Sequence, residues 1–121
     1  MRNTKFCSLR LPFGMYIHYA KGRKIGVSKP AYAKGLVHYN RRRKLTGKMI
    51  RSFFGEPNHY DPQGRCIGYS RPGGLLKILH YNRDGACIGY SYSLFGILFL
   101  HRIERRVFVE LFAEQARIEW I

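Results

Sequence analysis

Acidic residues are missing from the first half of this chain. Residues 1–55 hold 14 lysines and arginines and no aspartate or glutamate. No carboxylate pair for acid–base work can form there, which disfavours a metal-dependent nuclease. Cysteine is scarce and odd in number, with Cys7, Cys66 and Cys87 only. Three cysteines are not a disulfide framework, and no spacing fits a zinc site. The sequence predicts small, buried, reduced thiols and a cytoplasmic setting. Long apolar runs are lacking too. Residues 94–100 are too few to span a bilayer, and the basic N-terminus has no apolar core of a signal peptide. No phosphate-binding glycine loop and no Ser-His-Asp order is found, so no cofactor, no metal and no membrane partner is expected.

What is present is enough for a core. The chain has 121 residues, 45% hydrophobic and 15% aromatic, a size that suits a single domain, 1–121. Against 7 acids stand 22 basic residues, a formal charge of +15. Such an excess opposes compaction by self-repulsion and attracts polyanions. Because residues 56–121 hold 8 basic and 7 acidic residues, nearly all of the excess lies in the first half. That asymmetry predicts a binding surface.

The five histidines mark a repeat. His18, His38, His59, His80 and His101 are spaced by 20, 21, 21 and 21 residues, and tyrosine follows the first four. Two copies read HYDPQGRCIGYS (59–70) and HYNRDGACIGYS (80–91). The copy at 18–28, HYAKGRKIGVS, is one residue shorter; that at 38–49, HYNRRRKLTGKM, lacks the turn glycine. Glycines precede the histidines, several of them after phenylalanine: Phe13-Gly14, Phe54-Gly55 and Phe95-Gly96. Similarity at a fixed period identifies a repeat array.

Each copy has the chemistry of a β-hairpin. Asp61-Pro62-Gln63-Gly64 suits a type I turn, since Asp bonds the local backbone, Pro presets φ and Gly accepts the φ > 0 position. Short runs of Ile, Tyr, Leu and Val flank it. The fold expected is therefore mainly β: an antiparallel meander of four tandem hairpin repeats over 13–101, with eight or nine strands. If Tyr60 faces Cys66 and His59 faces Ile67, the histidines share a sheet face with the Ile and Tyr of each IGYS. The HY tyrosines, cysteines and glycines take the other. Residues 102–119 break the repeat, and Ile103, Val107 and Leu111 with Phe108 and Phe112 recur at helical spacing. A C-terminal α-helix is predicted there, covering a sheet face or an open edge.

The HYDPQGR segment resembles the Tyr-Asp-x-x-Gly-Arg core of the YD (RHS-type) repeats, which form strips of β-hairpins. The glycine and aromatic rhythm is also similar to MORN repeats, which are serial hairpins. Either resemblance implies a hairpin array over residues 13–101 and leaves function open.

Charge directs the functional reading. Lys21, Arg23 and Lys24 surround the first turn, and Arg41, Arg42, Arg43 and Lys44 occupy the second. Four successive cations at a hairpin tip must be displayed to solvent, where they can contact phosphates. Lys29, Lys34, Lys48 and Arg51 extend the patch. The sequence predicts a non-enzymatic protein that binds nucleic acid, DNA or RNA, or a ribonucleoprotein. Its size and charge match inhibitors of nucleic-acid-guided machines, such as the anti-CRISPR proteins of phages and mobile elements. Two other readings stay open: a module docking on an acidic protein surface, and a small metal-independent RNase using a repeat histidine. Tyr16, Tyr32 and Tyr92 lie off the HY position and could stack bases. The histidines themselves are read as structural, each making a hydrogen bond near its turn. The oligomeric state is not encoded in any of these patterns.

Overall fold

The turns dictate the local structure. A computed structural model describes residues 3–31, 35–52 and 56–112, with the backbone alone for 111 and 112. The Asp61 carboxylate oxygen Oδ1 accepts the backbone N–H groups of Gln63 and Arg65. Gly64 turns at φ 84° and donates its N–H to the Asp61 carbonyl. Asn82 and Gly85 repeat the arrangement, with Asn82 Oδ1 accepting from Asp84 and Ala86. Asn40 does the same for Arg42 and Lys44, but Arg43 must take the left-handed position at φ 66°. A side chain there costs roughly 1–2 kcal/mol. In the shorter copy, Lys21 and Gly22 sit at φ 53° and 72°, which makes a two-residue type I′ turn.

These turns connect ten strands: β1 (Asn3–Arg10), β2 (Tyr16–Ala20), β3 (Arg23–Pro30), β4 (Leu36–Asn40), β5 (Leu45–Arg51), β6 (Pro57–Tyr60), β7 (Cys66–Gly74), β8 (Lys77–Asn82), β9 (Cys87–Leu94) and β10 (Leu98–Glu104). Each pairs antiparallel with the next, as a meander does. The meander does not stay open. β10 pairs with β1 from Asn3↔Glu104 to Leu9↔Leu98 and closes a barrel, so none of the described strands leaves an edge for a helix to cover.

One register expectation is corrected. Tyr60 does face Cys66, but His59 pairs with Gly68 and not with Ile67. A bulge of one residue follows the histidine, and the same shift occurs beside His18, His38 and His80. A bulge reverses the inside and outside of everything beyond it. The glycine and serine of each IGYS therefore join the histidine on the inner face. Its tyrosine turns outward, where Tyr69 stacks on Tyr81 at 5.2 Å. The cysteines are corrected as well. Cys66 and Cys87 flank the turns on the hairpin arms and are exposed, and all three thiols are free.

The predicted helix begins late. Residues 102–104 finish β10, and α1 runs over Arg105–Phe112; the remainder of the predicted segment, 113–119, lies outside the described residues. The helix plugs the barrel end that carries the 61–65 and 82–86 turns. Phe108 is fully buried and joins Phe6, Ala20, Ile25 and Ile103 in the apolar core. Its ring lies 5.5 Å from that of Phe6. Phe108→Ala should cost about 3–5 kcal/mol in denaturant unfolding; a loss under 1 kcal/mol would show that the plug does not hold the barrel.

Candidate functional site

β2 to β5 are consecutive neighbours, so the most basic part of the chain forms one continuous wall. The β2–β3 turn displays Lys21, Arg23 and Lys24, and the β4–β5 turn displays Arg41, Arg42, Arg43 and Lys44, all exposed. Both tips are at the same barrel end, two strands apart, or roughly 10 Å. The fold thus brings seven predicted site residues together. Lys29 and Lys48 stand lower on the wall; Lys29 lies over the Tyr39 ring at 5.6 Å, and Lys48 is half-buried opposite Tyr60. Arg51, at the far end of β5, belongs to the opposite rim. Lys34 lies outside the described residues.

The neighbouring turns are electrically quieter. Asp61 is held by the backbone N–H of Arg65, which lowers its pKa, and its Oδ2 meets the Arg65 guanidinium at 2.9 Å. Of the candidate stacking tyrosines, Tyr16 packs edge-on against Phe99 at 5.6 Å, Tyr92 is partly exposed, and Tyr32 is outside the described residues.

The opposite rim has another character. It carries the turns between β1 and β2, β7 and β8, and β9 and β10. At these turns Phe13, Leu75 and Phe95 are 96%, 91% and 95% exposed. Phe13, Leu76 and Phe95 also adopt φ of 70°, 64° and 56°. A bulky residue at positive φ is strained, and burial gives nothing back here.

Inside the barrel the histidines form a belt. Each is bridged to the next by a serine hydroxyl, at 2.5–2.7 Å. The order is His59, Ser70, His80, Ser91, His101, Ser8, His18, Ser28, His38. Every serine meets Nε2 of one ring and Nδ1 of the following ring. A hydroxyl has one proton, and a neutral imidazole has one donor and one acceptor. The belt is therefore satisfied when every bond runs the same way round. Burial lowers the pKa to about 4 at His18, His59 and His80, and burial with repulsion from His18 and His59 lowers it to about 3 at His38. Burial holds His101 well below the ordinary range. The rings are neutral at pH 7.

Sequence reasoning missed the serines. Ser28, Ser70 and Ser91 follow their histidines by 10 or 11 residues, so the period did mark them. Ser8 precedes the repeat and had no such signal. Among the described residues, no group of three or more His, Cys, Asp or Glu is placed to hold a metal ion.

No protein-family model matches the chain, and no curated protein or solved structure is significantly similar to it.

Proposed function

We propose that the protein binds nucleic acid, free or within a nucleoprotein complex, through the wall of β2 to β5, and that it acts by binding and not by catalysis. The observation that supports this most is the meeting of seven exposed cations on two adjacent hairpin tips, with no acid in the segment that bears them. Like charges brought together repel one another, and a row of phosphates stabilises such a cluster through counterion release. In this reading the four hairpins are tandem copies of one unit, as in the YD-type strips that the sequence resembles. The first two copies carry the binding tips and the later two complete the barrel. Occupying the nucleic-acid channel of a guided nuclease is one way in which such a protein would inhibit it.

The apolar rim supports a protein component in the target. Phe13, Leu75 and Phe95 present contact area at the barrel end opposite the cationic tips. Exposed apolar clusters of this kind mark interaction surfaces. One molecule could touch phosphates at one end and protein at the other.

The test is fluorescence anisotropy with labelled single- and double-stranded DNA and RNA across a salt series. The chain should bind at low salt and weaken steeply as salt rises. Replacing Arg41, Arg42, Arg43 and Lys44 by Ala should flatten the log–log salt slope by roughly three to four units on duplex DNA. The circular dichroism spectrum should not change. Absence of binding at low salt, or an unchanged slope in the variant, would remove this site from consideration.

A further inference from the structure

The belt of imidazoles is open at one place. Met49 occupies the position on β5 where the other strands carry serine. It pairs with His59 as Ser70 pairs with His80 and Ser28 with His38. A thioether cannot donate a hydrogen bond and accepts only weakly. His59 Nδ1 and His38 Nε2 consequently have no hydrogen-bond partner among the described residues. Both rings are half-buried, and both line a cavity of about 870 Å³ within the barrel.

The chemistry of the gap follows from the belt's single direction. If all rings donate through Nε2, His38 offers a donor and His59 an acceptor. If all donate through Nδ1, the roles exchange. In either state the gap presents one donor and one acceptor, which is what a hydroxyl satisfies at the four serine positions. Around it the wall is apolar and aromatic, with Phe6, Tyr16, Leu36, Phe99 and Ile103. The volume is that of an ordinary small-molecule site. The mouth, beside α1, mixes Asp61, Asp84, Glu104 and Glu110 with Arg65, Arg83 and Arg106 and so favours neither sign of charge.

We propose that the lumen binds a neutral, mostly apolar molecule bearing a hydroxyl group, and that this hydroxyl bridges His38 Nε2 and His59 Nδ1 as the serines bridge the other rings. An apolar body fills the space between Tyr16, Leu36 and Phe99. The flexible Met49 side chain yields to it. A charged head group has no counter-charge on the belt, because the imidazoles are neutral. The site is independent of the basic wall, since its residues point inward.

Three probes of one shape test this on the full-length protein with ¹⁵N-labelled histidine: 2-naphthol, naphthalene and 2-naphthoate. Saturable binding of 2-naphthol is expected, about tenfold or more tighter than naphthalene or 2-naphthoate. The ¹⁵N resonances of His38 Nε2 and His59 Nδ1 should move more than those of His80 and His101. In Met49→Ser the new hydroxyl closes the belt, and the preference for naphthol over naphthalene should fall to about twofold or less. Equal affinity for naphthol and naphthalene, tighter binding of naphthoate, no saturable binding of any probe, or unmoved His38 and His59 resonances would each overturn the proposal. If Met49→Ser does not fold, the resonances of the unaltered chain decide.

Discussion

Between pH 6.5 and 4 the protein will unfold, taking up as many as five protons per chain. An unfolded histidine has a pKa near 6.5. In the barrel, burial holds His18, His59 and His80 at about 4 and His38 at about 3, with His101 lowered as well. Within that window the unfolded chain binds more protons than the native one, so stability falls as pH falls. Above about 6.5 neither state is protonated and the full contribution is present. Each proton of difference is worth about 1.4 kcal/mol per pH unit. Five together approach roughly 7 kcal/mol per unit, as much as many domains have in total. Protonation also removes the acceptor nitrogen that each serine needs, so the belt cannot absorb one charge without breaking a bond. The nearby Asp61 carboxyl, lowered from its ordinary value by the backbone N–H of Arg65, titrates below the window. Urea unfolding at pH 7.5, 6.5 and 5.5 gives the slope directly. Equal stability at pH 7 and pH 5 would contradict neutral, hydrogen-bonded imidazoles.

The second large effect comes from a methyl group. At Gly89 a Cβ would lie 2.2 Å from the Arg102 carbonyl oxygen and 2.6 Å from the Ile103 Cα, both backbone atoms of β10. Backbone cannot swing aside as a side-chain tip can, so Gly89→Ala must push β9 from β10. Ordinary overpacking costs about 1–3 kcal/mol, and this contact should reach or exceed about 3 kcal/mol. Gly68 is in the same position against the Tyr81 carbonyl oxygen, at 2.1 Å. Gly64 supplies the contrast, because nothing lies within 4 Å of its Cβ position and only its φ of 84° resists substitution. Gly64→Ala should cost about 1–2 kcal/mol. Chemical denaturation of the two alanine variants gives the comparison. Gly64→Ala proving the more harmful would refute the account.

The two glycines also show what could be read beforehand. Gly64 announced itself through Asp61 and Pro62, because turn chemistry is local and is written in adjacent residues. The four cations at 41–44 were legible for a similar reason, since such charge cannot be buried. The role of Gly89 depends on a carbonyl 13 residues away in sequence, and on a bulge that nothing in Cys87-Ile88-Gly89 reveals. That bulge decides whether Ser91 or Tyr90 faces inward, and so hid the hydroxyls that complete the belt. Closure was hidden too. It needs residues 3–10, which lie before the repeat, to meet residues 98–104, part of which have a helical spacing of apolar residues. The helix itself was visible through Val107 and Phe108, and its start was displaced by the pairing of Arg102 with Tyr90 and Lys5.

A barrel assembled from hairpins has a bore that changes in steps. Diameter grows with strand number, and each hairpin adds two strands. Ten strands leave room for a lumen, whereas eight give an interior that side chains nearly fill. Loss of a single histidine-bearing hairpin would therefore turn a vessel into a solid plug, and gain of one would widen it by a fixed increment. The number of strands is a gauge of what the interior can hold, set by counting hairpins and not by altering any residue within them.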